Sequence, residues 1–179
     1  MARIPQRLIR LRDQKLADGE TILWQGRPDA LAGLRYTGAT WFLSVPWIVM
    51  TLFANWMRWI DGATTPLLMV GGAFAVIPIL FFIRDLQTLF VITDRRALVV
   101  RGVWKDNKAS ADSTALSQMQ SPRAEVVSGH VGDLIFASGV STRKEDTDEK
   151  GRYGFRNIKN VEKVRDLLAD AIAKKVRAK

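Results

Sequence analysis

From Tyr36 to Met57 the chain runs for 22 residues without a charged side chain, and from Gly62 to Ile83 it does so again. Only Arg58 and Asp61 carry charge in the break between them. At a rise of 1.5 Å per residue each run makes a helix of roughly 33 Å, longer than a hydrocarbon core of about 30 Å. Neither run keeps the charged face that a surface helix of a soluble domain shows to water. The pattern therefore predicts a transmembrane hairpin over 36–83, with spans at about 37–57 and 63–83 joined by a tight turn. Tyr36 and Trp41 at one end of the first run, and Trp56 and Trp59 at the other, stand where amphipathic rings anchor a span at the headgroups. Trp47 falls mid-span and needs a protein or lipid neighbour. Pro46 and Pro78 lie inside the spans, where membrane helices tolerate them with a kink. Gly71 and Ala75 give a small-xxx-small spacing, with Gly72 beside them, that predicts close helix packing. The first run is longer than the apolar region of a cleaved signal and follows some 35 residues of charged chain, so it reads as an anchor.

Outside the spans the period changes. Residues 1–20 read as a basic amphipathic helix, with Ile4, Leu8, Leu11 and the stem of Lys15 on one stripe and Arg3, Arg7, Arg10 and Gln14 beside it. Two readings stay open for it: a helix resting on anionic headgroups, or a frayed, solvated terminus. Thr21–Gln25 reads as a short strand within a lead-in over 21–35. After Arg84 the apolar positions become those of strands: Thr88–Thr93 and Ala97–Val103 as a hairpin around Asp94-Arg95-Arg96, an edge strand at Ser110–Leu116, then Met119–Val127 and Val131–Ser138 around Ser128-Gly129-His130. Residues 141–152 read as a charged, solvated loop. A short strand at Tyr153–Phe155 precedes a helix over about 160–177, with Asn160 as N-cap and Val161, Val164, Leu167, Leu168, Ala171 and Ile172 on its apolar face.

Charge changes this picture by its placement. The net charge is +9, which alone would suggest nucleic acid. Of 27 Lys and Arg, seven precede the first span, one lies in the turn and nineteen follow the second. By the positive-inside rule both termini face the cytoplasm. The expected location is the bacterial inner membrane, multi-pass. Aromatics are not interleaved with the basic residues on a strand face, so nucleic acid is not an expected partner.

Candidate chemistry is sparse. There is no Cys and one His, which removes thiolate, disulfide and poly-His chemistry. Asp146-x-Asp148-x-Lys150-Gly151 departs from a calcium loop at Lys150 and again at its twelfth position, Asn157. His130 is the last residue of the Ser128-Gly129-His130 turn and reads as exposed and non-catalytic. No phosphate-binding, dinucleotide-binding or nucleophile-elbow motif occurs. No catalytic residue, metal ligand or cofactor is expected, and the chain is not expected to be an enzyme. Arg84, Arg95, Arg96, Arg101 and Lys105 lie close after the second span. They either contact anionic lipid headgroups or only enforce orientation and solubility.

The order of these pieces resembles bacterial membrane proteins that carry a pleckstrin-homology-like (PH-like) domain. Gly19-Glu-Thr-Ile-Leu-Trp-Gln-Gly-Arg-Pro-Asp29 is similar to that family's opening strand, and Phe90-Val-Ile-Thr-Asp-Arg-Arg-Ala-Leu-Val-Val-Arg-Gly102 to its central hairpin. Gly132-Asp-Leu-Ile-Phe136 and Phe155-Arg-Asn-Ile158 fit as well. A weaker similarity links the opening phrase to assembly factors of bacterial photosynthetic reaction centres that hold a similar domain. The resemblance implies an α+β membrane protein: a two-helix transmembrane hairpin inserted after the first strand, and a seven-stranded, partly open PH-like barrel over 84–179 capped by the C-terminal helix. An ordered domain joined to a hairpin, without any catalytic constellation, points to a non-enzymatic interaction module that scaffolds or, by analogy with those assembly factors, helps assemble a membrane protein complex. The expected partners are membrane lipids and such a complex or a homo-oligomer. The alternative is a protein that binds or senses anionic membrane lipids.

Overall fold

The structure, a computed structural model, describes residues 4–60, 62–102, 109–137 and 152–177, with backbone only at 35–37 and 109–111. The chain divides into two compact units, one made of residues 1–29 and 85–179 and the other of 30–84. The expected loop over 141–152 lies, but for Arg152, outside the described residues.

The first unit is α+β. It begins with α1 (Gln6–Asp13) and β1 (Ile22–Gly26), and resumes with β2 (Thr88–Thr93), β3 (Arg96–Gly102), β4 (Ala109–Ala115), a 3-10 turn (Leu116–Gln118), β5 (Arg123–Ser128), β6 (Val131–Ala137), β7 (Tyr153–Lys159) and α5 (Val161–Arg177). The strands form two antiparallel sheets, ordered β1-β2-β3-β4 and β5-β6-β7. The described strands do not close a barrel; a single bridge, Pro28 to Ile158, joins the sheets at one corner. The seventh strand is longer than Tyr153–Phe155, because pairing with β6 carries it on to Lys159.

The uninterrupted apolar runs of β2 and β3 follow from burial on both faces of the first sheet. Phe90, Ile92, Ala97 and Val99 enter the main core, while Leu89, Val91, Leu98 and Val100 form a second cluster with Leu8 and Leu11 of α1. The N-terminal helix is thus neither frayed nor turned by its apolar stripe toward lipid: that stripe covers the outer face of the sheet. Leu8 and Leu11 are 4% and 5% exposed, and each such burial is favourable by roughly 1.5–3 kcal/mol. On the other side Val161, Val164, Leu168 and Ala171 of α5 seal the core against β5, β6 and the 3-10 turn. Asn160, the expected N-cap, adopts φ +53, a left-handed conformation that Asn tolerates. Its carbonyl receives the Val164 N–H at 3.2 Å, and its own N–H is donated to the His130 carbonyl at 2.7 Å.

The second unit holds α2 (Ala30–Thr37), α3 (Ala39–Trp56) and most of α4 (Thr64–Leu86). The short α2 was not expected; residues 21–35 carry no clear helical period. By length and composition α3 and α4 are long and apolar enough to cross a membrane, with mean hydropathies of 1.2 and 2.4. Trp47, placed mid-span, donates its indole N–H to the Leu67 carbonyl at 2.9 Å, and Trp41 donates to the Ala75 carbonyl at 3.0 Å. Pro78 has no N–H for the Phe74 carbonyl four residues back, and Thr40 Oγ1 donates to that oxygen at 3.4 Å. Gly71 allows the approach: a Cβ there would stand 2.7 Å from Ile48 Cγ1 and 2.9 Å from Trp47 Cδ1. Gly72, expected in the same contact, takes no part in it, since a Cβ there meets nothing within 4 Å.

These two glycines separate cleanly by experiment. Gly71→Val should force α3 and α4 apart at a cost of about 1–3 kcal/mol. Protease cleavage between them in detergent is expected to speed up several-fold, while Gly72→Val digests at the parental rate.

Candidate interaction site

The four phrases that carry the family resemblance meet in the core. Phe155 stacks on Phe90 at 4.6 Å and on Trp24 at 6.1 Å, and lies edge-on to Phe136 at 5.0 Å. Each phrase contributes one ring, so their aromatic positions serve packing. Two further contacts tie the phrases together by polar groups. Asp133 Oδ1 accepts the Asn157 N–H at 2.8 Å, and the Asn157 carbonyl accepts the Asp29 N–H at 2.6 Å.

The other polar tie is the centre of the unit's electrostatics. Glu20 has a fully enclosed side chain, and Arg96 donates to it from Nε and Nη2, both at 2.9 Å. Thr93 Oγ1 adds a bond to Glu20 at 2.7 Å and receives the Arg96 N–H at 3.0 Å. These bonds, the Arg96 guanidinium foremost, outweigh the cost of burial and hold the Glu20 carboxyl at about 2, from 4.5. The same bond raises the Arg96 pKa. Sequence reasoning quoted Glu20 but gave it no role. A signal was present: Gly19 precedes it at φ +72, a turn that aims the carboxylate back at the β2–β3 turn.

Of the basic residues singled out after the second apolar run, the three described in the first unit, Arg95, Arg96 and Arg101, do not come together. Arg95 and Arg96 lie at the β2–β3 turn, and Arg101 stands opposite Thr88 at the other end of β3, roughly 17 Å away along the strand. Arg96 is committed to Glu20, and Arg101 is buried. Arg95 is half exposed beside Asp94. Arg84, in the helical unit, lies 4.9 Å over the Phe81 ring. Lys105 lies outside the described residues. Sequence reasoning passed over Arg27, whose guanidinium donates to the Leu86 carbonyl and whose pKa is lowered by burial.

Of the four expected anchors, Trp41 uses its polar edge on the partner helix rather than leaving it free for headgroups. Trp56 and Trp59 group around Phe53, each ring 6.0 Å from it and largely exposed. Tyr36 belongs to α2, and its side chain lies outside the described residues. Ala75 contributes its carbonyl to the helix pair.

The first unit carries a groove of about 570 Å³ between β1, the β2–β3 turn and α5. Leu23, Leu167 and Ala171 form its apolar lining, with Asp94 and Asp170 and then Lys174 and Lys175 as its charged groups. Sequence reasoning placed Leu167 and Ala171 only on the apolar face of the last helix, because nothing local shows that β1 lies opposite. β1 is the outer strand of its sheet, and a bulge between Ile22 and Trp24 places Leu23 out of register. Among the described residues no group of three or more His, Asp and Glu side chains is placed to hold a metal ion.

Comparison of the chain with protein-family models, curated proteins and solved structures gives no match in any of the three.

Proposed function

We propose that the chain is a membrane-anchored interaction module of the PH-like kind, which scaffolds or assists assembly of a membrane protein complex at the cytoplasmic face of the inner membrane. The observation that carries this reading is the groove beside β1: an apolar lining with charged groups of both signs, on a compact unit whose chain is continuous with two apolar helices. Four strands, three strands and a closing helix, in that order, support the PH-like assignment. The cytoplasmic orientation rests on the Lys and Arg asymmetry about the spans.

A lipid-sensing role draws less support, because Arg96 is held by Glu20 and Arg101 is buried. Affinity purification of the full chain in mild detergent is expected to recover a stoichiometric membrane-protein partner or a homo-oligomer. Recovery of the monomer alone, under every mild extraction tried, overturns the proposal.

A further inference from the structure

Resting on that reading, we infer that the groove between β1 and α5 takes an extended peptide segment of a protein partner, added as an outer strand to β1. The segment carries an apolar residue at its centre, a basic residue toward Asp94 and Asp170, and an acidic residue toward Lys174 and Lys175.

The strand edge supplies the first argument. Among the described residues β2 is the only strand beside β1, and the bridge at Pro28 closes only its far end. Along Ile22–Gln25 the outer edge has no strand partner among the described residues. An extended peptide satisfies such an edge by main-chain hydrogen bonds, and pockets for alternate side chains then set its specificity. Ile22 and Leu23, 37% and 43% exposed, add apolar surface there.

Charge supplies the second. Asp170 and Lys174 are four residues apart on one helix, the spacing that forms ion pairs. Yet neither they nor Lys175 make a hydrogen bond or ion pair among the described residues. Their charges remain available for a partner. The residues from Leu167 to Lys175 cover about 12 Å of helix, which four extended residues match at about 13 Å. A peptide with charges of opposite sign at its two ends, separated by an apolar residue, complements that order.

The test uses the full chain in lipid nanodiscs and a random peptide display library as probe. Enriched peptides are expected to share the basic–apolar–acidic order and to slow amide exchange at Ile22–Gln25. Leu23→Asp, at an exposed position, should weaken them about tenfold or more, and Lys174→Glu with Lys175→Glu should exchange the preferred acidic residue for a basic one. The inference is overturned if no sequence is enriched, if the enriched peptides bind both variants as they bind the parent, or if those amides exchange unchanged. Cross-linking between copies through Leu23 that no peptide displaces also overturns it, by making a second copy the occupant. A partner that still co-purifies with both groove variants removes the groove as its seat while leaving the docking function intact.

Discussion

Gly154→Ala is expected to unfold the β unit or bring it close to unfolding. A Cβ at this position would stand 2.0 Å from the Leu134 carbonyl oxygen and 2.9 Å from Ile135 Cα. Both are backbone atoms of β6, the central strand of its sheet, so no side-chain rotation relieves the clash. The alternatives are breaking the β6–β7 ladder or shifting its register, and a shift would move Tyr153 and Phe155 out of the core. A cost above about 4 kcal/mol belongs to the rare, diagnostic class of substitutions, and it compares with about 5–15 kcal/mol for a whole domain. Thermal unfolding in detergent should fall by roughly 10–20 °C. Gly129→Ala is the control, because its Cβ meets nothing within 4 Å and only its φ of +57 is strained. That change should cost about 1–2 kcal/mol. Equal melting of the two variants would refute the β6–β7 register.

Much of the architecture could be read in the sequence, for local reasons. Charge-free runs as long as a bilayer is thick, β-branched runs after Thr88 and a helical apolar face after Asn160 are signals carried by neighbouring residues. What the sequence left open depends on residues far apart in the chain. The stripe of α1 gave no hint whether lipid, water or a sheet would cover it, because its partners Leu89, Val91, Leu98 and Val100 lie some eighty residues on. Arg96 and Arg101 are close in sequence, but the extended strand between them holds them apart. The groove was invisible for the same reason: β1 and α5 stand near opposite ends of the chain. Trp41 illustrates a different limit. Its position fits an interfacial anchor, whereas its indole bond to Ala75 depends on the register between two helices, which no spacing rule fixes.

Glu20→Gln is expected to remove a stabilisation that depends on pH in a defined window. The Glu20 carboxyl is held at about 2 in the folded protein, against 4.5 as its ordinary value. A carboxyl depressed in this way stabilises the fold fully above about pH 4.5, and the contribution is lost as pH falls toward 2. With the partial exposure of Arg96 taken into account, its size is on the order of 2–3 kcal/mol. At pH 7 Glu20→Gln should therefore destabilise the β unit by about that amount, and Arg96→Gln by more, since the second change leaves an enclosed carboxylate without its cation. Urea unfolding at pH 7, 5, 4 and 3 separates this account from a simple packing loss. The difference between parent and Glu20→Gln should shrink steadily below pH 4.5; a constant difference down to pH 3 sinks the assignment. The consequence reaches the groove through one further bond, because the Thr21 N–H next to Glu20 is donated to Asp94 Oδ1 at 3.0 Å. Asp94 lines the groove, so loosening the Glu20 clasp should weaken peptide binding there before the unit itself unfolds.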